Sequence, residues 1–144
     1  MKYRIVFFIF VAMAVAVALS AQANDNQKVV GVWWGQMDSL PAVVLNITDE
    51  GGGLSGAVLF YLIKKSFTMS EPTTATPGIP EPLFKPRLEG NTLTFEVSHR
   101  RSHPPRTLTD PPVRFHLALT GPDKAELVNE SEPSGPKVEL LREK

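Results

Sequence analysis

The feature that most restricts what this chain can fold into is a period-two alternation of apolar and polar residues. In "NTLTFEVSH" Leu93, Phe95, Val97 and His99 share one face, while Thr92, Thr94, Glu96 and Ser98 share the other. In "VRFHLALT" Val113, Phe115, Leu117 and Leu119 oppose Arg114, His116, Ala118 and Thr120. Successive strand side chains point to opposite faces, so each stretch predicts a strand with one dry and one wet side. After the N-terminal leader, no segment sustains a helical period over three turns. The pattern predicts eight strands, at about 29–36, 41–48, 54–64, 83–89, 92–99, 113–120, 124–129 and 137–142.

The connections between them suit an antiparallel meander, because parallel strands need long crossovers. The 13 prolines and 10 glycines gather between the apolar segments as turn punctuation. The second, fourth and sixth connections, "DEGGG", "EGN" and "GPD", are tight and carry glycine. The third, "KSFTMSEPTTATPGIPEP", and the fifth, "RRSHPPRTLTDPP", are long and proline-rich. In an up-and-down arrangement alternate connections lie at the same end. One end is therefore expected to be sealed by tight turns and the other to form a mouth framed by long loops. Curling the sheet into a cylinder also removes the exposed edges of an open sheet. The expected fold is all-β, an eight-stranded antiparallel up-and-down barrel.

The first residues are an address rather than part of that fold. Lys2 and Arg4 precede an apolar run from Ile5 to Leu19, and Ala21-Gln22-Ala23 supplies small residues for cleavage, the pattern of a secretory signal peptide. The run reaches only about 22 Å as a helix, short of a hydrocarbon core of about 30 Å. The sequence thus predicts a signal peptide at 1–23, cleavage near Ala23, and one extracytoplasmic domain at 24–144 with no stable membrane anchor. With no cysteine, that domain has neither disulfides nor a lipidated N-terminal cysteine. Loss of Lys2 and Arg4 leaves two fewer basic residues than the 15 acidic ones. Such a balance argues against a nucleic-acid binder.

Gly31-Val32-Trp33 on the first strand, with Arg142 near the end of the last, resembles the signature of the calycin superfamily of lipocalins and fatty-acid-binding proteins. That resemblance implies a lipocalin-like barrel in which Trp33 lies inside the sealed end and Arg142 packs across it. A guanidinium suits this contact through its planar charge. The second and third lipocalin motifs are not recognisable, so the likeness is to the barrel and not to the lipocalin family proper.

A barrel with a mouth suggests a carrier. Phe60, Leu62, Phe95 and Phe115 are expected to line an apolar cavity. His99 or Arg101, within the cationic group of Arg100, Arg101, His103 and Arg106, is expected to meet the anionic head of a small hydrophobic ligand. Against this, an eight-stranded barrel is only just wide enough to be filled by its own side chains, and the same aromatics are equally a plain core. The alternative is an interaction module. Leu54, Val58, Phe60 and Leu62 form one face of the third strand, yet Ala57, Leu59, Tyr61 and Ile63 make the other face apolar too, with Trp34 beside them. Contiguous outer apolar surface calls for a cover: the proline-rich loop, a second copy, or another protein.

Catalytic chemistry has thin support. His99 and His103 are four apart, which pairs metal ligands on a helix, but Pro104-Pro105 follow at once. Asp110 before Pro111 reads as a turn initiator as readily as a base. No G-x-S-x-G elbow, H-E-x-x-H pair, phosphate-cradling glycine loop or cysteine nucleophile is present. The expectation is a protein that is not an enzyme and carries no metal or cofactor; a lipocalin-like enzyme would need His99 beside an inward carboxylate.

Overall fold

The computed structural model describes residues 25–64, 73–98, 111–132 and 134–144. Within them lie ten strands: β1 Gly31–Met37, β2 Leu40–Glu50, β3 Gly53–Lys64, β4 Thr74–Pro77, β5 Glu81–Pro82, β6 Phe84–Glu89, β7 Thr92–Val97, β8 Val113–Gly121, β9 Lys124–Asn129 and β10 Val138–Arg142. All pair antiparallel in one curled up-and-down sheet of order β4-β3-β2-β1-β10-β9-β8-β7-β6, with β5 also on β3. First and last strands therefore sit side by side at the centre. The register sets Trp33 opposite Arg142.

The alternation works as the sequence implies. Leu93, Phe95 and Val97 of β7 and Phe115 and Leu117 of β8 are buried, as are Val43, Leu45 and Ile47 of β2 and Trp33 of β1, all on the concave side. The other side is wet and carries cross-strand ion pairs such as Lys85 to Glu96 at 3.0 Å and Lys137 to Glu126 at 2.9 Å. Exposed pairs of this kind add little stability, and the apolar face provides the main driving force.

Two features correct the expected eight strands. β4 and β5 both lie in the stretch assigned wholly to a loop. A proline-rich stretch reads as a loop because proline donates no ladder hydrogen bond. Pro77 and Pro82 are nonetheless accommodated at the outer side of β3, opposite Tyr61 and Ala57. On its other edge β3 approaches β2 closely at Gly56. Its φ is +158°, a Cβ added to it would lie 2.1 Å from the Asn46 carbonyl oxygen, and its own carbonyl accepts the Leu83 N–H at 3.0 Å.

The second correction is at the start. The first strand begins at Gly31, because residues 25–29 form a helical turn with Lys28 N–H donating to Asp25 O and Val30 N–H to Asn26 O. Val29, expected on the strand, is fully buried in that turn.

The β2–β3, β6–β7 and β8–β9 connections gather around this turn, while the two-residue β1–β2 connection at Asp38 and Ser39 lies at the other end. Gly51 and Gly52, with φ of +67° and +91°, form a two-residue hairpin closing the Glu50–Gly53 pair, a conformation glycine adopts without strain. The Asn26 Nδ2 group donates to Asp49 Oδ2 at 3.1 Å and to Gly52 O at 3.0 Å. Arg142 N–H donates to Asp123 O in the β8–β9 turn, and Leu119 N–H to Asn91 O in the β6–β7 turn. The helical turn thus plugs the end where the β2–β3, β6–β7 and β8–β9 turns meet. Among the described residues no helix is long and apolar enough to cross a membrane.

Candidate functional site

Three layers stack along the concave side of the sheet. At the base, the fully buried Trp33 donates its indole N–H to Val29 O at 2.8 Å. The Arg142 guanidinium lies over the ring, 4.5 Å from its centroid, and donates to Lys28 O. Its Nε has no hydrogen-bond partner, the nearest carboxylate oxygen on Asp123 being 3.9 Å away. The guanidinium thus couples the last strand to both the first strand and the plug. This is the contact the calycin resemblance implies for Gly31, Trp33 and Arg142; the side chain of Arg142 also lies against Gly31.

Above the base is an aromatic layer. Phe95 and Phe115 stack with centroids 5.8 Å apart, and Phe60 lies 5.3 Å from Phe115. These rings come from β3, β7 and β8, and they fill the middle of the sheet's concavity. Phe95 is wholly buried and acts as core, while Phe60 and Phe115 reach one level higher.

The third layer is a cavity of about 260 Å³ lined by Met37, Ala42, Val43, Phe60, Tyr61, Ile63, Phe115, Leu127, Asn129, Pro136 and Val138. Its walls come from β1, β2, β3, β8, β9 and β10, so it sits where the two halves of the sheet face each other, at the end away from the β2–β3, β6–β7 and β8–β9 turns and beside the β1–β2 turn that follows Met37. No charged side chain is among these lining residues.

Of the residues the sequence assigned to ligand contact, the structure brings Phe60 and Phe115 to this cavity and places Phe95 beneath it. Leu62 is elsewhere: it is 74% exposed. Tyr61 and Ile63, assigned to the outer face, line the cavity instead. The reason is a change of partner along β3. Through Phe60 the strand pairs with β2, and from Tyr61 onward it pairs with β4 in a two-stranded ribbon. Such ribbons twist more strongly than wide sheets, and strict alternation does not carry through the junction. His99 and Arg101, with Arg100, His103, Arg106 and Asp110, lie outside the described residues.

The remaining outer residues form a cross-strand row. Trp34 stands opposite Leu141 on one side and Val44 on the other, and Val44 stands opposite Leu59. Trp34 is 39% exposed, and Leu59 is half-buried. A separate hollow of about 430 Å³ lies at the base, bounded by Lys28, Asn91, Leu119, Thr120, Gly121, Pro122 and Arg142. Its cations are engaged, Lys28 by Asp25 at 2.7 Å and Arg142 by the plug. Among the described residues, no group of three or more His, Asp or Glu side chains comes together as a metal site would require.

Sequence reasoning named only Phe60 and Phe115 in this wall and missed Met37, Ala42, Val43, Leu127, Asn129, Pro136 and Val138. Asn129 ends a short strand and carries no motif. Ala42 is the extra residue of a β-bulge, since Gly35 pairs with Val43 and Gln36 with Pro41. The bulge keeps both Ala42 and Val43 at the cavity, which simple alternation forbids. Comparison with family models, curated proteins and solved structures finds no match to this chain.

Proposed function

We propose that this chain is an extracytoplasmic binding protein, exported by the signal peptide at 1–23, that holds a small hydrophobic ligand at the mouth of a calycin-like barrel. The observation that carries this reading is the cavity of about 260 Å³, with no charged side chain among its described lining residues, above the Phe60, Phe95 and Phe115 layer. Pockets that bind small molecules are concave and mainly apolar with a few placed polar groups, and this wall has that composition. In the proposal the barrel closes through residues 81–89, which pair with β3 at one end and with β7 at the other. Binding without catalysis is the proposed role, and no cofactor is invoked. For a ligand with an anionic head, His99 or Arg101 from the neighbouring connection is the proposed contact.

A second reading is supported by the row Leu141, Trp34, Val44 and Leu59 across the outer face. A partly exposed indole amid aliphatic residues suits a protein partner or a second copy, without an internal ligand. Tyr61 and Ile63 line the cavity and are not part of this row.

Native mass spectrometry of the protein after incubation with lipid and metabolite extracts tests the carrier reading. A saturable mass increment that disappears in Phe115→Trp, where a larger ring fills the space, is the expected result. No increment with any extract, together with a dimer or complex abolished by Trp34→Ser, would favour the second reading.

A further inference from the structure

We propose that the mouth cavity selects a neutral molecule bearing a single hydrogen-bond acceptor, a medium-chain ketone, ester or alcohol rather than a carboxylate or a bare hydrocarbon. This inference rests on the carrier reading above and specifies its ligand. Three observations lead to it. Among the described residues the lining contains no charged side chain, so a carboxylate that enters meets no counter-charge from them, and an unpaired buried charge is strongly disfavoured. The volume of about 260 Å³ lies between a cavity of about 150 Å³ that holds benzene and the 300 Å³ or more typical of drug-sized ligands. It therefore suits a body of roughly six to twelve non-hydrogen atoms.

The third observation is the state of Asn129, which with Tyr61 supplies the side-chain polarity of an otherwise apolar wall. The Asn129 Oδ1 atom accepts the Ser131 backbone N–H at 2.9 Å. That bond fixes the orientation of the amide, because only the oxygen can accept it. The Nδ2 group, with two donors, has no protein partner among the described residues and, on a half-exposed side chain, is open to solvent until a ligand displaces it. A donor held in place by a neighbouring backbone bond, at the rim of an apolar space, matches a ligand oxygen and gives a bare hydrocarbon nothing to match. Asn129 stands opposite Phe115 in the register, so the ligand's apolar body would lie against that ring and its oxygen toward the amide.

The test is a titration of the isotopically labelled protein with 2-heptanone, 1-heptanol, heptanoate and heptane, followed by NMR of backbone and Asn side-chain amides. The ketone and the alcohol are expected to shift the Asn129 Nδ2 resonances and to bind about three- to tenfold tighter than heptane, the worth of one hydrogen bond. They are also expected to bind tighter than heptanoate at neutral pH. In Asn129→Asp, which keeps an acceptor for Ser131 but loses the donor, the preference for ketone over heptane is expected to vanish. If heptanoate binds tightest, or all four bind alike without moving the Asn129 amide, the selectivity is wrong while the cavity reading stands. If no probe moves any lining residue, both are overturned.

Discussion

The contact between Trp33 and Arg142 permits a quantitative prediction through a double-mutant cycle. Trp33→Leu removes the ring face and leaves the Val29 carbonyl, which accepts the indole N–H at 2.8 Å, without that donor. Loss of a fully buried aromatic costs about 3–5 kcal/mol, the orphaned carbonyl accounting for about 1 kcal/mol or more of it. Arg142→Met keeps an apolar stem and removes the guanidinium, which sits 4.5 Å from the ring centroid and donates to Lys28 O. The Arg142 side chain is 21% exposed, so the stacking term should fall near 1 kcal/mol, between about 0.5 at the surface and about 2 when desolvated. Removing Nε, which is buried without a hydrogen-bond partner, offsets part of the loss, and the single variant should cost about 1–2 kcal/mol. The double variant should be less destabilised than the sum by about 1 kcal/mol, since the stack can be lost only once. Urea denaturation followed by far-ultraviolet circular dichroism measures all four proteins without relying on tryptophan fluorescence. A coupling below about 0.3 kcal/mol would refute the claim that the guanidinium and the indole act together.

Three further outcomes follow from the same structure. Gly56→Ala should destabilise by more than about 2 kcal/mol, because the added Cβ meets the Asn46 carbonyl at 2.1 Å, and thermal unfolding reads this directly. Asn26→Ala removes the amide that donates to Asp49 and Gly52 and should cost about 1–2 kcal/mol, with faster hydrogen exchange confined first to the Gly51–Gly53 hairpin and the N-terminal turn. Trp34→Ser should change stability by less than about 1 kcal/mol and leave ketone binding intact, because the indole is on the outer face; lost binding in a folded variant would contradict that placement.

The strands were legible where one chemistry dominates each face. Leu93, Phe95 and Val97, and likewise Phe115 and Leu117, required a dry side, and no other element satisfies that spacing. The paired glycines at 51 and 52 named their own hairpin. Gly31, Trp33 and Arg142 were legible through resemblance, and the register then set the indole and guanidinium together. Legibility ended where pairing overrides local pattern. Pro77 and Pro82 spoke for a loop, yet an outer position on β3 tolerates them. Along β3 the apolar residues on both faces gave no means of knowing that the inward side passes from Phe60 to Tyr61 and Ile63, leaving Leu62 outside. Asn26 carried no helix signal and Val29 read as the start of the first strand, because their helical turn is held by tertiary contacts with Asp49, Gly52 and the Trp33 indole. Asn129 gained its meaning only when β8 and Ser131 fixed its two ends.

Diffraction from crystals pressurised with xenon reads the mouth cavity itself, because xenon enters apolar space without needing a specific ligand. One xenon site is expected at the mouth, bounded by Met37, Phe60, Phe115 and Val138, and none within the packed base beneath Trp33. A mouth collapsed onto its own side chains with no xenon there would contradict it.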